Sequence, residues 1–287
     1  MNVNLKIAKM TIGYTYHFND YFKDHLDAYR IDESSSIDYQ MEVIITNDIP
    51  TFDLSFKWKD NEAFYTSDLL DVTTYTMQNQ KEIIEQLVFD KLNKDIKIYI
   101  NPTRVQDLPM QEYILSGIMF LEIALHEGYL ALHASAIDYQ GDAILFSAPS
   151  TTGKSTHARM WKELFLDDVY FINDDKPLLF EKDGLLYVTG SPFSGKRVLN
   201  QNVVKPLKTI IFLSQSKIDH LYPLNKKEAL NELMKNMLRP KEEKTWDQII
   251  KTINQITDQI PIYHLEATQS YDAVKLVHQT LYKEKKI

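Results

Sequence analysis

The residues best suited to chemistry are Ala148-Pro149-Ser150-Thr151-Thr152-Gly153-Lys154-Ser155. A phosphate chain is bound by backbone N–H groups pointing inward, a helix N-terminus aimed at it, and a cation that reaches its outer oxygens. This stretch can supply all three. Gly153 lets the backbone approach the phosphates, Lys154 would reach the β and γ oxygens, and the Ser155 hydroxyl would join Mg²⁺. The expected nucleotide contacts are Ser150, Thr151, Thr152, Gly153, Lys154, Ser155 and Thr156, with Mg²⁺ as cofactor. The strict pattern has glycine where Ala148 stands. A plain helix start with an exposed lysine would show the same Gly-Lys-Ser. Context favours the phosphate reading, because the apolar run Ala143 to Ser147 precedes the loop and Ala158, Trp161, Leu164 and Phe165 mark a helix face after it.

Phosphoryl transfer to a hydroxyl also needs a metal ligand and a carboxylate that orients or deprotonates the acceptor. Asp174 and Asp175 follow the apolar run Val169 to Ile172, at the C-terminal end of a strand, where open α/β sheets gather ligands. Alone they would read as a turn with capping or solvated aspartates; beside the loop they read as catalytic. His133 lies in Leu130-Ala131-Leu132-His133-Ala134-Ser135-Ala136, and spacing does not separate a histidine facing the phosphates from a satisfied core histidine. Gly190-Ser191-Pro192-Phe193-Ser194-Gly195-Lys196-Arg197 is glycine-rich and basic. Its cations, Lys196 above all, would neutralise transferring phosphate or hold the acceptor, the alternative being a solvated surface loop. Arg159 reaches either the nucleotide or Glu163 at i+4.

Composition limits the company these residues keep. The chain has 287 residues, 44% hydrophobic and 25% charged, enough apolar material for one large α/β domain with a subdomain. A formal charge of -8 opposes the broad basic face of a nucleic-acid binder. With no cysteine, disulfides, thiolate metal sites and thiol nucleophiles are all excluded. The N-terminus lacks the apolar core of a secretory signal, which makes a cytoplasmic location the expectation. The most apolar stretch, Tyr113 to Leu132, carries Glu122, His126 and Glu127, and a membrane span of about 20 residues rarely tolerates three such groups. It reads as a buried helix leading into a strand.

The elements that must position the site fall into two regions. Residues 1–105 read as a β-rich N-terminal subdomain, with strand-like runs at Met41 to Ile45 and Phe52 to Trp58 and a helix expected at Lys81 to Leu92 from Ile83, Ile84, Leu87 and Val88. Residues 106–287 read as the chemical domain. Asp107-Leu108-Pro109 starts a helix that runs to about Glu127. Strands at Leu130 to Asp138 and Ala143 to Ser147 are joined by a turn at Tyr139 to Asp142, and a hairpin turns at Asp183-Gly184. Another apolar strand is expected at Thr209 to Leu213. Asn225 with Glu228 reads as a capping box, Trp246, Ile249, Ile250, Ile253 and Ile256 mark a helix, Ile262 to Leu265 a strand, and Ser270 starts a last helix.

Together, Leu132-His133-Ala134-Ser135-Ala136-Ile137, the Ala148 to Ser155 loop, Ile172-Asn173-Asp174-Asp175-Lys176-Pro177 and Gly190 to Lys196 resemble the HPr kinase/phosphorylase-related kinases. The likeness is to the branch associated with ribosomal-peptide biosynthesis, including lasso-peptide kinases, and covers roughly residues 110 to 280. It implies a phosphoenolpyruvate-carboxykinase-like P-loop nucleotide fold and ATP-dependent phosphorylation of a serine hydroxyl. By motif, Asp174 would be the acceptor-orienting base, Asp175 would act at Mg²⁺ with Ser155, and His133 would lie near the transferred phosphate. Thr151 stands where the family commonly has glycine, as does Ala148 where true HPr kinases have one. The C-terminal signature loop of the bifunctional HPr enzymes is missing, so the implied acceptor is a peptide or small hydroxyl compound and not HPr. Related enzymes can assemble into homo-oligomers. Two other readings stand beside this one: a carboxykinase-like metabolic enzyme, and a nucleotide-binding module without catalysis. The presence of both aspartates favours catalysis.

Overall fold

A computed structural model describes residues 1–77, 82–194 and 197–282. They form a mixed α/β protein with two large sheets, divided into compact units at Met1–Ile123 and Ala124–Ile287.

The first unit contains β1 (Asn2–Ile7), β2 (Met10–Thr15), a short α1 (Lys23–Leu26), β3 (Arg30–Ile31), β4 (Tyr39–Ile45), β5 (Lys57–Lys59), β6 (Glu62–Thr66), β7 (Leu70–Thr76), β8 (Ile83–Asp90) and β9 (Asp95–Ile100). They pair as one sheet in the order β3-β1-β2-β4-β9-β8-β7-β6-β5. In β1, β4 and β9 burial alternates residue by residue, as expected when one sheet face packs on a core and the other meets solvent. The expected helix at Lys81 to Leu92 is instead β8; Lys81 itself lies outside the described residues. Glu85 to Phe89 of β8, which pairs with β7 and β9, are buried consecutively, on both faces of the strand. A strand covered on both faces loses the period-two signature, and its apolar residues then fit helical spacing equally well. Of the run expected at Phe52 to Trp58, only its end is strand, in β5.

Helix α2 (Leu108–His126) begins where expected, with Asp107 Oδ1 accepting the N–H of Met110 at 2.9 Å. The units divide inside this helix, not at residue 105. The reason is specific bonding to the N-terminal strands: Ser116 Oγ meets Tyr14 OH at 2.6 Å, and the buried Glu112 carboxylate accepts the N–H groups of His17 and Phe18 at 2.7 and 2.8 Å. By length and composition α2 could cross a membrane, yet 61% of its apolar window is buried inside the fold, as in a core helix.

The second unit contains β10 (Leu130–Ala131), β11 (Ala134–Tyr139), β12 (Asp142–Ser147), α3 (Lys154–Phe165), β13 (Val169–Asn173), β14 (Leu178–Lys182), β15 (Leu185–Thr189), β16 (Val204–Gln215), β17 (His220–Pro223), α4 (Lys226–Asn236), α5 (Glu243–Gln259), β18 (Ile262–Ala267) and α6 (Tyr271–Leu281). The sheet runs β10-β14-β15-β16-β12-β11-β13, with β18 added on β16 and β17 on β18. Strands β12, β16 and β18 are mutually parallel. Alternation along β12 feeds two cores: Ala143 and Leu145 pack with Leu233, Ile249 and Ile253 of α4 and α5, while Ile144 and Phe146 pack with Ala158, Trp161, Val274 and Val277 of α3 and α6. The sheet is thus covered on both faces, and the end of β12 is held rigidly. The capping box at Asn225 and Glu228 forms as expected. At the β14–β15 hairpin Asp183 and Gly184 both have positive φ, 54° and 80°.

The strand expected at Leu130 to Asp138 is broken in two. β10 pairs with β14, then Leu132 bridges Met237, and β11 joins β12 and β13. His133 stands at that switch, its N–H bonded to Asn236 O at 2.8 Å.

Candidate functional site

The stretch from Ala148 to Gly153 links β12 to α3. Gly153, at φ 117°, is the residue before the helix, and no side chain caps the first turn. The leading N–H groups of α3 are left to whatever arrives from outside the helix. A positive φ of that size favours glycine. Thr151 also takes a left-handed conformation, φ 66°, at the position where the resembled family commonly has glycine. Lys154 is buried and folded under its own loop, its Nζ donating to Ala148 O at 2.8 Å and Pro149 O at 3.1 Å. Burial pulls its ionisation below the usual lysine range and Lys176 adds to this, while Asp175 and Asp174 oppose it.

A second strand end converges on the first. β11 pairs antiparallel with β13, with a register shift between Ala136 and Ile137, so that Ala136 faces Asn173. Asn173 Oδ1 accepts the N–H groups of Asp175 and Lys176 at 2.9 and 2.8 Å, and its Nδ2 donates to Ser191 O at 3.0 Å. This side-chain turn fixes the aspartates after the strand ends. Asp174 accepts a short hydrogen bond from Ser135 Oγ, and Ser135 Oγ lies 3.5 Å from Ser155 Oγ. Asp175 turns the other way: its Oδ1 is 2.9 Å from Lys176 Nζ and 3.7 Å from His133 Nε2. Burial, followed by Lys176 and Lys154, pushes His133 down to about 4 against the pull of Asp175. The imidazole is therefore neutral at pH 7, and its approach to Asp175 is not an ion pair.

The structure thus brings Lys154, Ser155, Asp174, Asp175 and His133 into one place. Lys196 lies outside the described residues. Arg159 does not pair with Glu163: its Nε donates to Ser155 O at 3.1 Å, and Glu163 accepts the hydroxyl of Tyr271 at 2.8 Å. Nor is Ser191 to Ser194 a solvated surface loop, since Ser191, Phe193 and Ser194 are buried and Ser191 is bonded to the aspartate turn. Three contributors carried no separate signal: Ser135, Asn173 and Lys176. Each stands within a motif quoted above, but its function depends on which strand it meets.

His157, one turn into α3, is a separate case. It is almost wholly buried, edge-on to Phe146, and accepts the Trp161 indole N–H at 3.3 Å. Burial pushes it down to about 4. A pKa lowered on folding means the unfolded chain binds more protons, so this contribution is complete above the unfolded value of about 6.5 and shrinks as pH falls toward 4. Between pH 6.5 and 5 the wild type should lose about 2 kcal/mol more than His157→Gln, in which glutamine can still accept from Trp161. Urea unfolding of both proteins across that range measures the difference; parallel stability curves would refute it.

The fold and site define a mixed α/β protein in which an uncapped helix start with a buried lysine meets a pair of aspartates. The family model for SynChlorMet cassette protein ScmC matches residues 99–273, and the chain belongs to this biosynthetic-cassette family. The matched stretch includes every site residue named above and little of the N-terminal sheet. No curated protein matches the chain.

Proposed function

We propose that the chain is an ATP-dependent kinase that phosphorylates a hydroxyl, of the serine type, on a peptide or small-molecule acceptor. The observation that carries this reading is the line from Ser155 through Ser135 to Asp174, which joins a helix start able to hold phosphate to the carboxylates that transfer chemistry requires. The order of strand, loop, helix and aspartate-bearing strand supports grouping it with the HPr kinase/phosphorylase-related kinases and their carboxykinase-like P-loop fold. Membership of a cassette family suits a dedicated acceptor better than a housekeeping metabolite. We place the reaction in the cytoplasm.

The donors here are hard oxygens, which suit Mg²⁺. Among the described residues no three or more His, Cys, Asp or Glu gather as an all-protein cage. That also suits Mg²⁺, which commonly takes one or two carboxylates and completes its shell with water and phosphate. Ser155 and Asp174 would hold it, and the ion would neutralise charge on the β and γ phosphates. This reverses the roles expected from motif, because the hydrogen-bond line from Ser155 reaches Asp174, whereas Asp175 is engaged by Lys176 and His133. Asp175 would accept the proton of the acceptor hydroxyl. The neutral His133 beside it can donate a hydrogen bond without adding charge. Lys154 would leave its loop carbonyls for the nucleotide.

Mg²⁺ with ATP at about 100 times Kd should stabilise the native protein by about 2.7 kcal/mol. Thermal and urea unfolding read the shift. Folded protein that shows no shift with any nucleoside triphosphate would remove the basis for this function.

A further inference from the structure

Lys176 follows Asp175 directly, and its main-chain N–H is already fixed by Asn173. The turn therefore does not need its side chain. Yet the ammonium is brought back into the site, 2.9 Å from Asp175 Oδ1, with the side chain 26% exposed. The same carboxylate oxygen lies 3.7 Å from His133 Nε2, and Lys154 directly precedes Ser155 of the same site. Two ammonium groups in one half-buried place repel each other, and such an arrangement is favourable when an anion is to be held between them. Lys154 is held by its loop carbonyls and Lys176 by Asp175, so both ammonium groups are kept at the site.

We infer that Lys176 is a catalytic cation, contacting the phosphoryl group as it passes from nucleotide to acceptor. The inference rests on the kinase reading. In that transfer the acceptor oxygen forms a bond to the γ phosphorus while the bond from that phosphorus to the bridging oxygen breaks. The electron pair leaves with ADP, and the hydroxyl proton goes to Asp175. Negative charge spreads over the three equatorial oxygens. A cation just after β13 is placed to meet those oxygens, one of the two parts expected of Lys196.

The test needs no acceptor. Affinities for Mg·ATP and for Mg·ADP with aluminium fluoride, a mimic of the transferring phosphoryl group, are measured by calorimetry on the wild type, Lys176→Met and Lys176→Arg. Methionine keeps much of the side-chain volume without the charge; Lys176→Gln, polar and uncharged, replaces it should the methionine variant fail to fold. The expected result is a loss of about 100-fold in affinity for the mimic with Mg·ATP within about threefold of wild type, and substantial recovery in Lys176→Arg. Equal affinity of wild type and Lys176→Met for the mimic overturns the inference and leaves the kinase reading intact. So does an equal loss for both ligands, which would make Lys176 an ordinary nucleotide contact. A wild type that binds neither ligand refutes the kinase reading and this inference with it.

Discussion

Asp175→Asn should lower transfer to the acceptor by about 10²- to 10⁴-fold at an unchanged Mg²⁺ requirement, the range over which a positioned general base contributes. Asp174→Asn should instead raise the Mg²⁺ concentration needed for half-maximal rate. The asymmetry follows from bonding: Asp174 is tied through Ser135 to the Ser155 hydroxyl, and Asp175 contacts Lys176 and lies near His133. Both variants should fold, since the turn that positions the pair is made by Asn173 and by main-chain groups, including Asp174 N–H to Leu199 O and Ala134 N–H to Asp175 O. Mg²⁺ titrations of the initial rate distinguish the two roles. The opposite pattern would exchange them, and near-normal turnover in both variants would end the catalytic assignment.

Lys154→Met should abolish the stabilisation by Mg·ATP and reduce turnover by about 10²- to 10³-fold, the loss associated with one preorganised charge contact at the reacting group. The effect on the unliganded fold should be much smaller. The ammonium forms charge-assisted bonds to Ala148 O and Pro149 O, but burying it is itself unfavourable, and methionine avoids that burial cost while filling much of the space. Calorimetric titration with Mg·ATP, alongside urea unfolding of the unliganded protein, separates the two quantities. Unaltered nucleotide affinity would place the phosphate site elsewhere.

What the sequence made legible was local. The apolar run into Gly153 and Lys154, the amphipathic α3, the capping box at Asn225 and the Asp183-Gly184 turn depend on neighbours within a few residues, and each formed as expected. β8 was misread because burial from both sides erased its alternation. The unit boundary was hidden because α2 looks like an opening element of the second region, while its bonds through Glu112 and Ser116 run to residues about a hundred positions earlier. In the site, Asp174, Asp175, Lys154 and Ser155 could be named from motif, but the pairing of each aspartate could not. That pairing is set by the register shift between β11 and β13, which places Ser135 against Asp174. Lys176 escaped notice for a related reason: a lysine after two aspartates reads as a solvated turn until the strands are assembled.

On the kinase reading, Thr151 should give the loop an unusual kinetic character. A β-branched residue at φ 66° costs on the order of 1 to 2 kcal/mol, and its hydroxyl is turned onto Ser150 O at 2.6 Å. Glycine there would relieve the strain but would also multiply the shapes open to an empty loop. With threonine the curve between β12 and α3 is set in advance. An incoming anion then has little shape-searching to wait for. Its arrival should be governed by diffusion and by the exchange of Lys154 away from two carbonyl oxygens, and its departure should leave the loop already formed for the next.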